Sequence, residues 1–259
     1  MTTQDDMVRR ARALRLYGLI SHLDELRSHP ESLAFSKQLL DCEETKARER
    51  RQRRLLAATK VGAIEGLDSF DWSWPKKIPR DLIEDLFQLK FLEQKANVVF
   101  LGTSGLGKTM LAKNLAHEAA RAGYTSLFVE AASMLDELLG EAGRAGVERV
   151  LRRYAKPRLL VIDEVGYLSY DTRHADLLLR VIQKRHGISS TIITTNRPFS
   201  EWGEMFPNAS SVVALLDRLT ETCELVHIVG DSYRAHKAKM RREEREQRKR
   251  TTKTTTVKH

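Results

Sequence analysis

The chain has 259 residues, of which 41% are hydrophobic and 31% are charged, and it carries a formal net charge of +9. These totals are typical of a soluble, highly charged protein with one large domain or a domain and a smaller companion. No apolar run approaches the ~20 residues that cross a bilayer, and the acidic N-terminus lacks the apolar core of a secretory signal. Cys42 and Cys223 have no partners at metal-ligand spacing, so we expect a cytoplasmic protein with reduced thiols and no membrane contact.

The first 60 residues predict a small all-helical domain. Apolar residues at helical spacing between residues 7 and 28 indicate two short helices or one kinked helix, with Gly18 at the join. A further helical run begins near Glu31, and residues 43–60 predict a strongly basic helix. Its cations lie on one face and fit contact with DNA phosphates, while a solvated face is the alternative. The cations proposed for this contact are Lys46, Arg50, Arg53 and Arg54.

Residues 61–80 combine glycine, proline and aromatic residues without periodicity, which predicts an extended linker that packs on the next domain. Trp72 and Trp74 could lie near a nucleotide base or pack against the domain core. A second, larger domain is predicted over residues 81–234, and it opens with an amphipathic helix at residues 81–92.

The central feature is a glycine-rich turn between a short apolar strand, residues 98–101, and a helix-forming run. The turn matches G-x-x-x-x-G-K-[ST], and its backbone N–H groups can form a nest for phosphate oxygens at a helix N-terminus. Lys108 can contact the β- and γ-phosphates, and the Thr109 hydroxyl can bind Mg²⁺. The predicted ATP-binding residues are Gly102, Thr103, Ser104, Gly105, Leu106, Gly107, Lys108, Thr109 and Met110.

Strands and helices alternate through the rest of the domain, so the fold class is predicted to be α/β with a five-stranded parallel sheet. The third strand is a continuous apolar run that ends at Asp163 and Glu164. Asp163 is predicted to hold Mg²⁺, and Glu164 to polarise the attacking water as general base. Asn196 follows the fourth strand and can lie beside the γ-phosphate. Spacing alone does not decide whether Arg218 and Arg234 act in the site or form surface salt bridges.

Further cations could contact DNA. Within the larger domain, two helices are predicted over residues 131–140 and 147–154, separated by Gly143 and Gly146. The cations cluster on and just before the second of these helices, and they are Arg144, Arg149, Arg152 and Arg153. Residues 235–259 hold 10 Lys/Arg against 3 Glu, which gives +7, so the other 234 residues carry only +2. This basic C-terminal helix and tail favours a polyanion partner, although a solvated tail gives the same composition.

The whole chain resembles the IstB-like transposition helper ATPases, a branch of the AAA+ group related to the helicase loader DnaC. The matching motifs are GTSGLGKT, LLVIDEVGYL, TTNRPFSEW, LLDRL and GDSYR. The resemblance implies an AAA+ P-loop domain with a short helical lid. It implies Asn196 as sensor 1, Arg218 as an arginine finger acting in trans, and Arg234 as sensor 2 acting in cis.

The resemblance further implies a regulator that assembles as a homo-oligomer on double-stranded DNA and recruits or activates a partner transposase. A helicase loader that binds single-stranded DNA is the alternative. The basic regions are poor in the aromatic residues on which single-stranded bases stack, which favours duplex contact. A small-molecule kinase is a third hypothesis, disfavoured by Glu164 beside Asp163 and by the basic tail.

Overall fold

The computed structural model describes residues 3–166, 170–206 and 210–243. It divides into two compact units, Met1–Ala57 and Ala58–His259. Within these described ranges, no helix is both long and apolar enough to cross a membrane. The predicted basic tail beyond residue 243 lies outside the described residues, and so does the stretch 251–259, for which the Thr/Lys-rich composition predicts disorder.

Helices alone build the first unit, and their number corrects the sequence-based prediction. Three helices, not two or one, precede residue 29, because the chain turns at Arg15, which has a left-handed φ of 61°, and again at His22. Gly18 lies inside the second helix. From residue 30 one long helix replaces the two predicted runs, since no glycine or proline interrupts it after Pro30. The helices are α1 (Thr3–Ala13), α2 (Tyr17–Ser21), α3 (Leu23–Arg27) and α4 (Pro30–Ala58).

A small apolar core joins these helices. Met7, Ala11, Leu23 and Leu40 are buried together, with partly buried side chains packed around them. Beside this core, Arg10 pairs with Asp41 and, at 2.8 Å, with Glu44. These carboxylates raise the pKa of Arg10, so the guanidinium stays charged and ties α1 to α4.

Five parallel strands form the centre of the second unit, as predicted. Their order across the sheet is β2-β3-β4-β1-β5, so β4 lies between β1 and β3. Because all strands run the same way, the loops that follow β1, β3 and β4 meet at one edge of the sheet. The strands are β1 (Asn97–Leu101), β2 (Ser126–Glu130), β3 (Leu159–Val165), β4 (Ser190–Thr195) and β5 (Cys223–His227).

Helices cover both faces of this sheet. Alternate residues of each central strand point to opposite faces, so Val98 and Phe100 belong to one apolar cluster and Val99 to the other. The helices are α5 (Arg80–Phe87), α6 (Lys90–Gln94), α7 (Lys108–Arg121), α8 (Ala131–Gly140), α9 (Gly143–Ala155), α10 (Thr172–Arg185), α11 (Trp202–Met205) and α12 (Ser210–Thr220), followed by α13, which is described over residues 233–243.

Two local predictions need correction. The helix predicted over residues 81–92 is broken into α5 and α6, because Leu89 takes a left-handed φ of 61°. The helix after α8 begins at Gly143 and includes Gly146, which were both predicted to lie between helices. The favourable packing of Val150, Leu151 and Tyr154 into the core outweighs the low helix propensity of these glycines.

The segment that connects residue 61 to α5 packs on the core of the second unit, as predicted. Val61 is buried, and Ile64, Leu67 and Phe70 are half-buried in the same apolar cluster as β1. Further along, Lys77 exchanges two backbone hydrogen bonds with Val229, just beyond β5, at 3.0 and 2.9 Å. We call residues 70–77 the strap, because they cross the segment that leads into α13.

A buried arginine fixes the opposite end of the sheet. Arg185 is 1% exposed, and burial lowers its pKa to about 9. The described structure gives it no carboxylate partner. Its guanidinium donates to the backbone oxygens of Tyr154, Ala155 and Pro157 at 2.9, 3.2 and 2.9 Å, to Thr191 Oγ1 at 2.9 Å and to the Ser190 carbonyl.

We expect Arg185→Met to lower the free energy of unfolding by about 3–5 kcal/mol, because it leaves several buried acceptors without donors. Urea denaturation monitored by circular dichroism measures this change. Lys184→Met on the same helix removes a half-buried cation whose ion pair with Glu148, at 3.0 Å, is partly solvated, so it should cost less than about 1 kcal/mol. Equal stability of the two variants would contradict the bracing role of Arg185.

Candidate functional site

A cavity of about 460 Å³ opens at the edge of the sheet where β1, β3 and β4 end. This volume is within the range of ligand pockets, ~300–1,000 Å³. The glycine-rich turn, the acidic end of β3, Thr194 at the end of β4, the strap and α13 all line it. The cavity therefore collects residues from segments more than 150 positions apart in the chain.

The glycine-rich turn leads directly into α7, which begins at Lys108. Gly105 and Gly107 have φ angles of +81° and +86°, which favour glycine. A side chain on Gly105 would meet Ser232 Oγ at 2.2 Å, and one on Gly107 would meet the Phe70 ring at 2.5 Å. Both glycines are therefore required by backbone conformation and by close neighbours.

Lys108 is the cation at the point where the glycine-rich turn enters α7. Its side chain is buried, and its Nζ donates to the carbonyl oxygens of Gly102 and Thr103 at 2.6 and 2.8 Å. Burial lowers the pKa of Lys108 to about 8, although Asp163 partly opposes this. An ammonium held among carbonyls at a helix N-terminus is well placed to meet phosphate oxygens.

An acid and two hydroxyls form the floor of the cavity. Thr109 Oγ1 and Thr194 Oγ1 donate to Asp163 Oδ1 at 3.0 and 2.5 Å. Burial raises the pKa of Asp163, and these two hydrogen bonds oppose the rise. A carboxylate beside a hydroxyl fits the way proteins hold Mg²⁺, with few protein ligands and with phosphates completing the shell.

Glu164 follows Asp163 in an unusual conformation. Its φ of 61° is rare for a residue with a side chain, and its backbone N–H donates to Thr194 Oγ1 at 2.9 Å. Burial raises the pKa of Glu164, and the charges of Asp163 and Glu130 raise it further. Thr194 thus fixes both acids, and the sequence analysis missed it, although it lies in the polar run at the end of β4.

Of the two arginines left open by spacing, one enters the cavity. Arg234, on α13, lines it together with the P-loop residues Lys108 and Thr109. Arg218, on α12, lies outside the lining residues and donates from Nη1 to the Ala214 carbonyl at 3.0 Å. Asn196 is not among the lining residues either. Its Oδ1 is buried and has no hydrogen-bond partner within the described part of the chain.

Among the other residues predicted to bind ATP, Gly105, Leu106, Gly107, Thr109 and Met110 line the cavity directly. Gly102 and Thr103 face Lys108 through their carbonyls, and Ser104 lies between them and Gly105. Sequence reasoning missed Lys113, Glu130, Lys237 and Arg241, which line the cavity as well. Trp74 lines it, whereas Trp72 packs on Phe70 with Arg80 over its ring.

The cations predicted to contact DNA differ in how they are engaged. Lys46, Arg50, Arg53 and Arg54 are exposed on α4, with ion pairs of 2.9 Å from Lys46 to Glu49, 3.6 Å from Arg50 to Glu43 and 4.0 Å from Arg53 to Glu49. Arg48 and Arg51 are exposed on the same helix, which extends its basic surface beyond the predicted face.

On α9, two of the predicted arginines form closer ion pairs with glutamates. Arg149 pairs with both oxygens of Glu141 at 3.0 Å, and Arg153 pairs with Glu137. Arg144 and Arg152 are exposed, and the structure shows no ion pair for either among the described residues. The α9 surface therefore offers two unpaired cations of the four predicted.

A glycine-rich turn with Lys108, placed beside the acidic end of β3, defines the P-loop ATP-binding class of α/β proteins. Comparison with known proteins agrees with this class. The family described as IstB-like ATP binding protein matches residues 9–241, and the chain belongs to that family. The fold class predicted from the sequence is confirmed as α/β, with a five-stranded parallel sheet and a P-loop that leads into α7.

Individual relatives are named after insertion sequences. The chain is similar to a protein named as the ATP-binding protein of insertion sequence IS232 of Bacillus thuringiensis, at 35% identity over 85% of this chain and 90% of that one. It is similar to the corresponding IS5376 protein of Geobacillus stearothermophilus, at 32% identity over 81% and 84%. Among solved structures, it is similar to DnaI, with a TM-score of 0.49 and 19% identity over 70% of this chain and 92% of that one.

The lowered pKa of Lys108 predicts a pH dependence of nucleotide binding. Below about pH 8 the ammonium is protonated and can pair with phosphates, whereas above it the folded protein must take up a proton to bind. We expect the affinity for ATP to fall as pH rises from 8 to 10, measured by calorimetry in buffers of different ionisation enthalpy. Lys108→Arg keeps the positive charge and stays protonated over this range, so binding by this variant without proton uptake would assign the effect to Lys108. A flat profile in the unmodified chain would contradict the prediction.

Proposed function

We propose that this IstB-like protein hydrolyses ATP in the cavity at the edge of its sheet. The observation that carries the proposal is the joint placement of Lys108, Asp163, Glu164 and Arg234 around one cavity. Lys108 and Arg234 would neutralise phosphate charge, and Glu164 would accept the proton of the attacking water. Thr109 and Asp163 would hold Mg²⁺, which supplies further charge neutralisation on the phosphates when bound.

The position of Arg218 supports an oligomer. It is a half-buried cation on α12 that does not line the cavity of its own chain. The family motif gives it the role of an arginine finger, so we propose that it completes the site of a neighbouring copy. Nucleotide binding would then drive assembly, and hydrolysis would drive disassembly. Asn196 is proposed to help orient the attacking water.

Double-stranded DNA is the proposed surface for this assembly. Exposed cations on α4 and α9, with the basic C-terminal segment, suit contacts to the phosphate backbone. Contacts of this kind position a protein without reading its target sequence. The naming of relatives after insertion sequences supports a role in transposition, in which the assembly recruits or activates a partner transposase.

The assembly is tested with the purified full-length chain and duplex DNA at low salt. We expect ATP to produce a DNA-bound oligomer, visible by electron microscopy and by analytical ultracentrifugation, and ADP to produce none. Parallel titrations with single-stranded DNA of equal length distinguish the helicase-loader alternative. A preference for the single strand, or no nucleotide-dependent oligomer on the duplex, would contradict the proposal.

The arginines of α9 give the DNA prediction on α4 its matched control. We expect Arg50→Gln with Arg54→Gln to weaken duplex binding by ten-fold or more, and to reduce the salt slope by about 0.9 per lost phosphate contact. Arg149→Gln with Arg153→Gln removes the same charge and should have a smaller effect, because these guanidiniums pair with glutamates more closely than Arg50 pairs with Glu43, at 3.6 Å. Fluorescence anisotropy at several salt concentrations measures both. Equal effects would mean that net charge, not α4, determines binding.

A further inference from the structure

Three cations of α13 lie along one side of the helix and all line the nucleotide cavity: Arg234, Lys237 and Arg241. Their spacing of three and seven residues places them within one narrow face of an α-helix. At 1.5 Å of rise per residue, the row spans about 10 Å. The family motif accounts for Arg234 alone, so the other two cations have no assigned role.

The neighbouring cations of α13 are arranged differently. All five of these cations are exposed, but Lys239 and Arg242 lie outside the cavity lining, and Lys239 is 4.0 Å from Glu243. Lys237, by contrast, lies over the Tyr233 ring at 4.8 Å, beside the cavity. The cations of this segment therefore divide into those that line the cavity and those that do not.

The start of α13 is fixed against the P-loop. The Tyr233 backbone N–H donates to the Gly105 carbonyl at 3.0 Å, and the Thr103 hydroxyl donates to the Gly230 carbonyl at 3.3 Å. Ser232 packs so closely on Gly105 that no side chain fits there. The first turn of α13 thus directly contacts the turn that forms the phosphate nest.

The strap holds the same segment from the other side. The Trp74 indole stacks on the His236 ring, with centroids 4.1 Å apart, and its Nε1 donates to the Asp231 carbonyl at 2.8 Å. Lys76 pairs with the Asp231 carboxylate at 3.1 Å. Trp74 itself lines the cavity. The helix is therefore held at both its P-loop side and its strap side, in the position that aims its cationic row at the cavity.

Anionic ligands are the chemistry that such a row recognises. The opposite parts of the cavity carry acids, namely Glu65, Asp71, Glu130, Asp163 and Glu164. A nucleotide polyphosphate brought among these carboxylates needs compensating positive charge, and Lys108, Lys113 and Arg234 supply only part of it.

We propose that Lys237 and Arg241 bind the anionic part of the nucleotide alongside Arg234, so that α13 is a cationic lid held by Trp74. The proposal rests on the cavity being the nucleotide site. It gives two cations of the basic C-terminal segment to the nucleotide, not to DNA. Binding of ATP would then fix the helix from which the rest of that segment extends.

Calorimetric titration of the full-length chain with a non-hydrolysable ATP analogue and Mg²⁺ tests the lid. We expect Lys237→Met and Arg241→Met each to weaken binding about ten-fold, the size of one hydrogen bond to a charged group. Lys239→Met and Arg242→Met remove the same charge from the same helix and should change the affinity less than about two-fold. Equal losses in the cavity-lining variants and in the Lys239 and Arg242 variants would overturn the proposal.

Hydrogen exchange supplies a second readout that a general charge effect would not change. We expect the analogue to slow amide exchange across residues 233–243 in the unmodified chain, and to slow it much less in Lys237→Met with Arg241→Met. If the analogue leaves amide exchange across residues 233–243 unchanged in the unmodified chain, the proposed lid is wrong.

The role of Trp74 is tested with Trp72 as its match. Trp74→Ala should weaken binding of the analogue and increase exchange in α13, with Trp74→Phe partly restoring both through ring stacking. Trp72→Phe, outside the cavity, should leave both unchanged.

Lys108→Ala distinguishes a wrong lid from a wrong nucleotide site. If Lys108→Ala also binds normally, the proposed nucleotide site itself is wrong, whereas normal binding by only the Lys237 and Arg241 variants refutes the lid alone.

Discussion

Arg218→Ala is expected to reduce ATP turnover by about three orders of magnitude, the lower range for an arginine finger, while nucleotide affinity changes less than about two-fold. The reason is its position. Arg218 lies on α12, outside the cavity of its own chain, and its one described hydrogen bond is to the Ala214 carbonyl of the same helix. Its loss should therefore spare nucleotide binding by the single chain and affect only the completed site between copies.

A mixing experiment decides between action in trans and in cis. Lys108→Ala keeps Arg218 but has a defective phosphate nest, whereas Arg218→Ala keeps the nest. Equal mixtures of these two inactive variants on duplex DNA should regain part of the turnover, measured by phosphate release. Arg121→Ala, an exposed arginine paired with Glu118 on α7, serves as the charge-matched control. Arg218 would act in cis if the mixture were as inactive as its components and if the Arg218→Ala variant by itself had lost its affinity for ATP.

Glu164→Gln is expected to lower turnover by about 10²–10⁴-fold, the usual contribution of a general base. The amide keeps the size of the side chain but cannot accept the proton of the attacking water. Affinity for ATP should stay the same or rise, because a negative charge is removed from a cavity already crowded with carboxylates. Complexes with duplex DNA should then dissociate more slowly in ATP than those of the unmodified chain.

The neighbouring acid provides the control for this variant. Glu130 lines the same cavity and raises the pKa of Glu164 through its charge, so Glu130→Gln should reduce turnover far less. Because the pKa of Glu164 is raised, turnover should also begin to fall at a higher pH on acidification than for an ordinary glutamate. Equal turnover in Glu164→Gln and Glu130→Gln would remove Glu164 from its proposed role.

Local sequence patterns predicted much of the ATPase domain. The apolar run of β3 and the fixed spacing of the glycine-rich turn each involve neighbouring residues, so their structure follows from local rules. The parallel sheet followed from the alternation of strands and helices. The break at Leu89 and the helix through Gly146 were not predicted, because there tertiary packing decides against local preference.

The parts of the site that the sequence did not predict depend on contacts between distant segments. Thr194 fixes Asp163 and Glu164 only because β4 lies beside β3, an order that periodicity does not give. Trp74 and Asp231 are 157 positions apart, and nothing in either segment alone predicts their hydrogen bond. The cavity-facing row of α13 was likewise hidden in a segment whose composition suggested only a polyanion-binding tail.

The stacking of Trp74 on His236 gives the protein an intrinsic optical signal. Of the three tryptophans, Trp202 is fully buried and Trp72 packs on Phe70 without lining the cavity itself, so only Trp74 combines an imidazole neighbour with the ligand site. Ligand entry should change its emission. In rapid-mixing measurements without any attached dye, that emission would time nucleotide capture against light scattering from growing particles, and so reveal which of the two events comes first.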